Sequence, residues 1–337
     1  MIELLNDLKI ILDRYKEASN LEEEALCYKD YKAITDLLSN LDNLNFQSVQ
    51  FEKKDDYVKI INKDKNYVTK EMYDNRLLLG SLYNRLIDSI SSEFDEEEYD
   101  VPSNQREVLI NFFKQYNIDK IFIDMLDNNK ILVDDNFVSP TTLIFKSINK
   151  KYILVSNDKE LDALSHEMGH IIESDIIQED NHIMLEFIST LIEILFIDYY
   201  QKIDSETANT MKNNFVSKLF YLMLSLLPQI EIMKRHSDAF INMSLNNKYR
   251  DEYNSMTLFG NYIRDNELYQ QYYAIGLLLS ISFYYKLKNG GTLDEVIEFV
   301  KNNKNTNLHD LLSNNIDLSL LDNFVNDFLN NKKKASI

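Results

Sequence analysis

The scarcity of chain-breaking residues constrains this sequence more than any other feature. Only six glycines and three prolines (Pro102, Pro140 and Pro228) occur in 337 residues. Because glycine and proline interrupt regular structure, their scarcity predicts long helices and few tight hairpins. The hydrophobic content of 45% is typical of a globular chain with a substantial core. We therefore expect a mainly α-helical protein.

Apolar residues recur at helical spacing along most of the chain. The N-terminal part predicts helices over residues 2–18 and 20–41, the second of them capped by Asn20. Residues 68–92 predict a third helix, with Leu77 in its apolar stripe. The C-terminal part predicts helices over approximately residues 181–201, 205–227, 228–246, 266–288, 292–303 and 316–331.

Short strands are predicted in two places. Residues 130–134, 142–148 and 152–156 are β-branched or aliphatic runs separated by Asn, Asp and Pro, so they predict a small sheet. Residues 46–51 and 57–61 predict a further pair of strands. The expected fold is therefore mainly α, with a small β-sheet that precedes the helix carrying the motif described below.

The acidic segment 93–102, which ends in Pro102, is the best candidate for a linker. It divides the chain into an N-terminal helical region, residues 1–100, and a second domain, residues 101–337. A solvated loop inside one domain remains the alternative.

The charge of the chain excludes one class of partner. A net charge of −19 argues against a nucleic-acid-binding face. Cys27 is the only cysteine, so no intrachain disulfide can form. The first twelve residues lack the pattern of a signal peptide, and no apolar run reaches the roughly 18 residues of a membrane span. We expect a cytoplasmic protein without a nucleic-acid or membrane partner, and the oligomeric state is not predicted.

Residues 164–170 contain an H-E-x-x-H motif. His166 and His170 are four residues apart, so a helix places both side chains on one face. Two imidazoles stacked in this way can provide two ligands of a zinc ion, with Glu167 beside the metal as a general base. The chain contains only five histidines, which makes a chance match improbable. The motif therefore predicts a zinc site on this helix.

A catalytic zinc usually has three protein ligands, so one more is needed. The metzincin class would require Gly and His where this chain has Glu173 and Ile176, which excludes that class. His182 and Glu186 remain as candidates. Glu186 is favoured, because it follows His170 by sixteen residues in an apolar segment that can fold back onto the first helix. A carboxylate buried there requires a partner.

Three further carboxylates lie near the predicted site. Glu193 is seven residues after Glu186, and we expect it to hydrogen-bond a ligand histidine from behind. Glu173 and Asp162 either orient a ligand or project to solvent, and for Glu173 we expect solvent. The remaining histidines, His236 and His309, have no motif around them and are expected at the surface or in satisfied contacts.

Four segments form a combined pattern within approximately residues 119–300. They are Tyr152-Ile-Leu-Val-Ser, Leu164-Ser-His-Glu-Met-Gly-His, Leu185-Glu-Phe-Ile-Ser-Thr-Leu-Ile-Glu and Tyr269-Gln-Gln-Tyr-Tyr-Ala-Ile-Gly. This pattern resembles oligoendopeptidase F and, more distantly, thimet oligopeptidase. In that family a strand precedes an H-E-x-G-H helix, the third ligand lies in an E-x-x-S-T-x-x-E helix, and a Tyr-rich segment faces the active site. The resemblance implies a helical, zincin-type (gluzincin) catalytic domain over residues 101–337.

The chain also departs from the family pattern. Members usually carry a histidine at the position of Glu173, and another shortly before the Tyr-rich segment, where this chain has Arg264, Asp265 and Asn266. The chain is also about half as long as the family's members. Residues 1–100 are therefore expected to be a reduced channel lid or a partner-docking module.

The resemblance and the motif together imply a zinc metallopeptidase acting on peptides. One Zn²⁺ is expected on His166, His170 and Glu186, with Glu167 as the general base. A second hypothesis is a zinc hydrolase of a non-peptide amide. A third is a catalytically weak or silent relative that binds peptides or a protein partner.

A tyrosine hydroxyl can stabilise the oxyanion of such a reaction. Tyr269 and Tyr273 are four residues apart on one predicted helical face and are the candidates for this role, with Tyr272 less favoured.

Overall fold

The computed structural model is mainly helical, with one three-stranded sheet in the part of the chain that it describes. The described residues are 2–42, 49–61, 70–90, 99, 104–134, 137, 140–156, 161–177, 183–236, 252 and 267–329. The main elements, in chain order, are α1 (Ile2–Glu17), α2 (Leu21–Asp42), α3 (Lys54–Ile61), α4 (Arg76–Asp88), α5 (Gln105–Lys114), α6 (Asp119–Asp127), β1 (Ile131–Val133), β2 (Thr141–Phe145), β3 (Lys150–Val155), α7 (Leu161–Ile176), α8 (Phe187–Tyr200), α9 (Ser205–Arg235), α10 (Glu267–Lys288), α11 (Leu293–Asn302), α12 (Leu308–Asn315) and α13 (Leu318–Leu329).

The sheet has the order β1-β3-β2, with β1 parallel and β2 antiparallel to the central strand. Alternate residues of β3 enter two different cores. Ile153 and Val155 pack into the large core that contains α7 and α8, whereas Tyr152 and Leu154 pack against α1 and α2. Both faces of β3 are therefore covered, and β2 is left at an edge of the sheet. The three strands predicted from residues 130–156 are confirmed.

The N-terminal helices α1 and α2 pack on one face of the sheet. Asp7 is fully buried there and accepts hydrogen bonds from Lys150 Nζ and Tyr152 Oη, both at 2.6 Å. These charge-assisted bonds offset the cost of burying the carboxylate. Further along, α4 packs against α9. The division of the chain at residue 100 stays a prediction, and most of the segment 93–102 lies outside the described residues.

Helix α8 lies at the centre of the large core. It packs against α7, α9 and α10, and apolar side chains cover most of its circumference. A helix that is hydrophobic all round is buried, as Phe187, Leu191 and Ile194 are here. The site described below is built on the start of α8 and on the two helices that touch it.

Two predictions about secondary structure are wrong. Residues 57–61 belong to helix α3, because Tyr57 is buried against Ala25 and Tyr28 with helical periodicity while Val58 is exposed. The predicted break before Pro228 is absent, and α9 runs from Ser205 to Arg235.

Packing explains why α9 tolerates its proline. Proline inside a helix costs about 3 kcal/mol. Leu226 and Ile230, on either side of Pro228, are buried, so tertiary packing outweighs that cost.

Leu77, expected in an apolar stripe, is instead 65% exposed. Helices α5, α6 and α12 were not predicted.

Within the described part of the chain, one helix is long and apolar enough to cross a membrane by length and composition alone, and this is α9. Of its most apolar stretch, 56% is buried inside the protein. Core helices of soluble proteins meet the same two criteria, so these features do not assign α9 to a membrane.

Candidate metal centre

Helix α7 presents the two motif histidines on one face, as predicted. The His166 and His170 rings lie edge to face with centroids 4.9 Å apart. His166 is only 4% exposed, and the side chain of His170 is 14% exposed. Both imidazoles therefore line a nearly enclosed site.

Glu186 completes a cluster of three ligand-type side chains. It lies in the turn just before α8, not inside a helix as predicted, and it is fully buried. Its Oε2 atom lies 3.3 Å from Nε2 of His166 and 3.3 Å from Nε2 of His170. In a tetrahedral zinc site with bonds of about 2.0–2.1 Å, two ligand atoms lie about 3.3–3.4 Å apart. The observed separations match that geometry.

The second oxygen of Glu186 also suits a cation. Oε1 is buried and makes no hydrogen bond with the described residues. An unsatisfied buried carboxylate oxygen is costly, and a metal ion would satisfy it. The three side chains are the one group of His, Cys, Asp or Glu with this mutual proximity, all ligand atoms within 4.8 Å, found in the described residues.

Two glycines let the Glu186 segment approach its neighbours closely. A Cβ atom on Gly169 of α7 would lie 2.2 Å from Cα of Ser189. A Cβ on Gly276 of α10 would lie 2.6 Å from the carbonyl carbon of Glu186. Any side chain at either position would collide with backbone, so α7 and α10 reach the third-ligand segment only because both residues are glycine.

A carboxylate contacts the outer nitrogen of each histidine. Glu193 Oε2 lies 2.9 Å from Nδ1 of His166, which confirms the predicted contact. Glu173 Oε2 lies 3.0 Å from Nδ1 of His170. The expectation that Glu173 projects to solvent is wrong, because it is 1% exposed. Such contacts fix the tautomer that leaves Nε2 free to bind a metal.

Asp162 is buried as well, and it does not project to solvent either. It lies in the first turn of α7 and accepts a hydrogen bond from the hydroxyl of Tyr99. Among the described residues, the side chain that contacts this carboxylate by a hydrogen bond is Tyr99 and not a ligand histidine. Burial raises the pKa of the Asp162 carboxyl.

The cluster attracts positive charge when it holds no metal. Burial by itself lowers the pKa of His166, but hydrogen bonds to Glu186 and Glu193 raise it to about 9. Glu186 and Glu173 likewise raise the pKa of His170 well above its usual value, against the effect of burial. The pKa of Glu186 is lowered, because the two histidines outweigh its burial. A site that favours two protons on its histidines can hold one divalent cation in their place.

Glu167, the predicted general base, is 7% exposed, and a residue of the sheet donates a hydrogen bond to its carboxylate. Thr142 Oγ1 lies 2.8 Å from Oε2 of Glu167 and donates to it, and it also lies 3.0 Å from the main-chain oxygen of the same residue. Thr142 belongs to the edge strand β2 and pairs with Ile153 of β3. The sequence contains no local signal for this contact, because strand register places Thr142 over α7.

The three tyrosines of α10 have different positions. Tyr273 Oη lies 2.9 Å from Nε2 of His166, and the two rings are parallel with centroids 5.3 Å apart. Tyr272, the less favoured candidate, is 3% exposed and belongs to the large core. The side chain of Tyr269 lies outside the described residues, so its candidacy stays a prediction.

The other histidines are not members of this cluster in the described part of the chain. His236 Nε2 contacts Glu252 at 2.8 Å, and His309 is exposed, in agreement with the expectation for both. His182, the rejected alternative for the third ligand, and residues 264–266 lie outside the described residues.

Comparisons with known proteins add little to this geometry. No family model matches the chain, and no curated protein matches it. A search of solved structures finds a "putative oligoendopeptidase F" from Bacillus anthracis str. Ames, with 12% sequence identity and a TM-score of 0.47. The match covers 97% of this chain and 61% of that chain, so this chain spans about three fifths of that protein's length. The function proposed below rests on this chain's own residues.

Proposed function

We propose that this protein is a zinc-dependent metallopeptidase that hydrolyses peptide bonds in oligopeptides. One observation carries the proposal: Oε2 of Glu186 lies 3.3 Å from Nε2 of His166 and 3.3 Å from Nε2 of His170, which is the spacing of zinc ligands. Two histidines and one glutamate, with a second glutamate next in sequence to the first histidine, are the residues of a hydrolytic zinc site.

His166, His170 and Glu186 would hold the ion. A bound zinc ion polarises a carbonyl group and lowers the pKa of a water molecule toward neutrality. The carboxylates of Glu193 and Glu173 keep the two imidazole rings in the orientation seen here. The near-complete burial of Glu186 excludes bulk water from this side of the site and strengthens its electrostatic interactions.

Glu167 acts as the proton carrier in this proposal. Its carboxylate takes a proton from the attacking water and returns it to the leaving amine. The hydrogen bond from Thr142 to Oε2 restricts rotation of the Glu167 carboxylate, so the position of its other oxygen is restricted as well. General acid–base catalysis of this kind typically contributes about 10²–10⁴-fold to the rate.

Tyr273 is the proposed donor to the oxyanion. Its hydroxyl lies beside Nε2 of His166, so it can reach a carbonyl oxygen that binds next to the ligand set. A single donor in such a role is worth about 10²–10³-fold in kcat.

Cleavage of quenched fluorescent peptides by wild type and Glu167→Gln tests the proposal, with zinc content measured on the same samples. We expect wild type to cleave, and the variant to retain zinc but lose about 10²–10⁴-fold in kcat. Glu298→Gln is the matched control, since that exposed glutamate forms an ion pair with Lys301 on the surface of α11 and its substitution should leave cleavage unchanged.

Three results contradict the proposal. Zinc binding by wild type without cleavage of any peptide would indicate a binding protein with a silent site. Cleavage of non-peptide amides in place of peptides would indicate the amide hydrolase. Equal cleavage by wild type and Glu167→Gln would remove Glu167 from the mechanism.

A further inference from the structure

We infer that Glu173 is a positioning residue of the metal centre, which holds one ligand histidine and the segment of the third ligand in a single arrangement. The inference rests on the proposed zinc site. The sequence favours this role for Glu193 and a solvent-facing position for Glu173, and the family resemblance predicts a histidine where this chain has Glu173.

The carboxylate of Glu173 uses both of its oxygens. Oε2 lies 3.0 Å from Nδ1 of His170, one turn earlier on α7. Oε1 accepts a hydrogen bond from the backbone N–H of Ile188 in the first turn of α8. Ile188 is two residues after Glu186. One side chain thus connects a ligand ring to the turn that carries another ligand.

Both contacts require a hydrogen-bond acceptor, and an ionised carboxylate offers only acceptors. His170 can bind a metal through Nε2 only if its proton is on Nδ1, and a carboxylate opposite Nδ1 selects that tautomer. The N–H of Ile188 is one of the amide groups at the start of α8 that have no partner within the helix. Negative charge is also stabilised at this end of a helix.

The burial of Glu173 indicates that these contacts are specific. Glu173 is 1% exposed, and a carboxylate buried to that extent without partners would be strongly destabilising. Its position also complements that of Glu193. Glu193 reaches from α8 to His166 on α7, whereas Glu173 reaches from α7 to α8. Each ligand helix is therefore fixed to the other by a carboxylate beside a ligand histidine.

The substitution Glu173→Gln separates positioning from general stability. The amide oxygen of glutamine can still accept from Ile188, so the contact between α7 and α8 is retained. Its NH₂ group then faces Nδ1 of His170 as a donor, which selects the tautomer with the proton on Nε2. That tautomer cannot bind the metal.

We expect Glu173→Gln to weaken zinc binding by about 10–100-fold, measured by competition with a fluorescent zinc chelator in the absence of substrate. The Tm of the EDTA-treated variant should stay close to that of wild type. Asp175→Asn is the matched control, because Asp175 is two residues away on α7, is 66% exposed and forms its ion pair with Lys151 and not with a ligand histidine. Its zinc affinity should not change.

Glu173→Ala removes both contacts and should weaken zinc binding at least as much as Glu173→Gln while also lowering the Tm. The inference is overturned if Glu173→Gln binds zinc within about threefold of wild type, whether or not its Tm falls. This failure is distinct from failure of the peptidase proposal. A wild-type protein that binds zinc but cleaves no peptide would overturn that proposal and leave the role of Glu173 intact.

Discussion

The substitution Gly169→Ala tests whether close approach of two helix backbones sets the metal site. The added Cβ would lie 2.2 Å from Cα and 2.8 Å from N of Ser189. Ordinary contacts of a Cβ atom begin near 3.4 Å. These two atoms belong to the backbone, so no side-chain rotation relieves the collision, and α7 and α8 must move apart by about 1.2 Å.

That displacement is large compared with the tolerance of a zinc site. Separating the helices by about 1.2 Å would lengthen the 3.3 Å contacts between Glu186 and the two histidines toward 4.5 Å. Two zinc–ligand bonds of about 2.1 Å span at most about 4.2 Å even when collinear. We therefore expect zinc affinity to fall by at least tenfold, and the free energy of unfolding of the metal-free protein to fall by about 1–3 kcal/mol.

Zinc affinity by chelator competition and urea unfolding in EDTA are the assays for this variant. Gly80→Ala is the matched control. Its Cβ would lie 2.9 Å from Cγ2 of Ile230, a buried, β-branched side chain of α9, so packing must shift here too, against a gain of about 1 kcal/mol for alanine over glycine in a helix. The control should lower the stability of the metal-free protein but leave zinc affinity unchanged, because its collision lies between α4 and α9. If Gly169→Ala unfolds like wild type and binds zinc as tightly, backbone contact does not set the site.

Substitutions at three further positions give separate predictions. Thr142→Val should lower kcat severalfold, because it removes the hydrogen bond to Glu167 Oε2, whereas Thr142→Ser keeps the hydroxyl and should keep the wild-type kcat. Equal kcat in wild type and both variants would exclude the contact from catalysis. Tyr273→Phe should lower kcat by about 10²–10³-fold with zinc content unchanged, and an unaltered kcat would eliminate Tyr273 as the oxyanion donor. Lys212→Met should stabilise the protein by about 1–3 kcal/mol in thermal unfolding near neutral pH, because Lys212 Nζ is buried without a hydrogen-bond partner in the described residues. Burial lowers the pKa of Lys212, and this effect is partly opposed by Asp198 and reinforced by Lys288. The wild-type protein should therefore lose stability as the pH falls below the unfolded lysine pKa of about 10.4, and the variant should lose less. A destabilised variant, or the same dependence of stability on pH in both proteins, would contradict this reasoning.

Sequence reasoning predicted the centre of the site because its signals are local. Two histidines four residues apart need only a helix to be brought together, and α7 supplies it. Glu186 was predicted from its apolar surroundings and its distance along the chain, and it does meet both histidines. Its place in a turn before α8 was not predicted, since apolar periodicity continues through that turn.

The residues that were misassigned depend on tertiary contacts. Glu173 has the sequence context of a solvent-facing helical position, and only the packing of α8 against α7 buries it. Thr142 contacts Glu167 through strand register, which short aliphatic runs do not specify. Pro228 lies in an uninterrupted helix because the large core packs around it. In each case a local preference gives way to long-range packing.

The most direct test of the account is a zinc titration of EDTA-treated protein, followed by cleavage of a quenched fluorescent peptide. A zinc-dependent peptidase with one site per chain should show no cleavage without metal, and a rate that rises linearly and levels off at one zinc ion per chain. Cleavage in the metal-free protein, or no cleavage at any zinc concentration, would contradict this proposal.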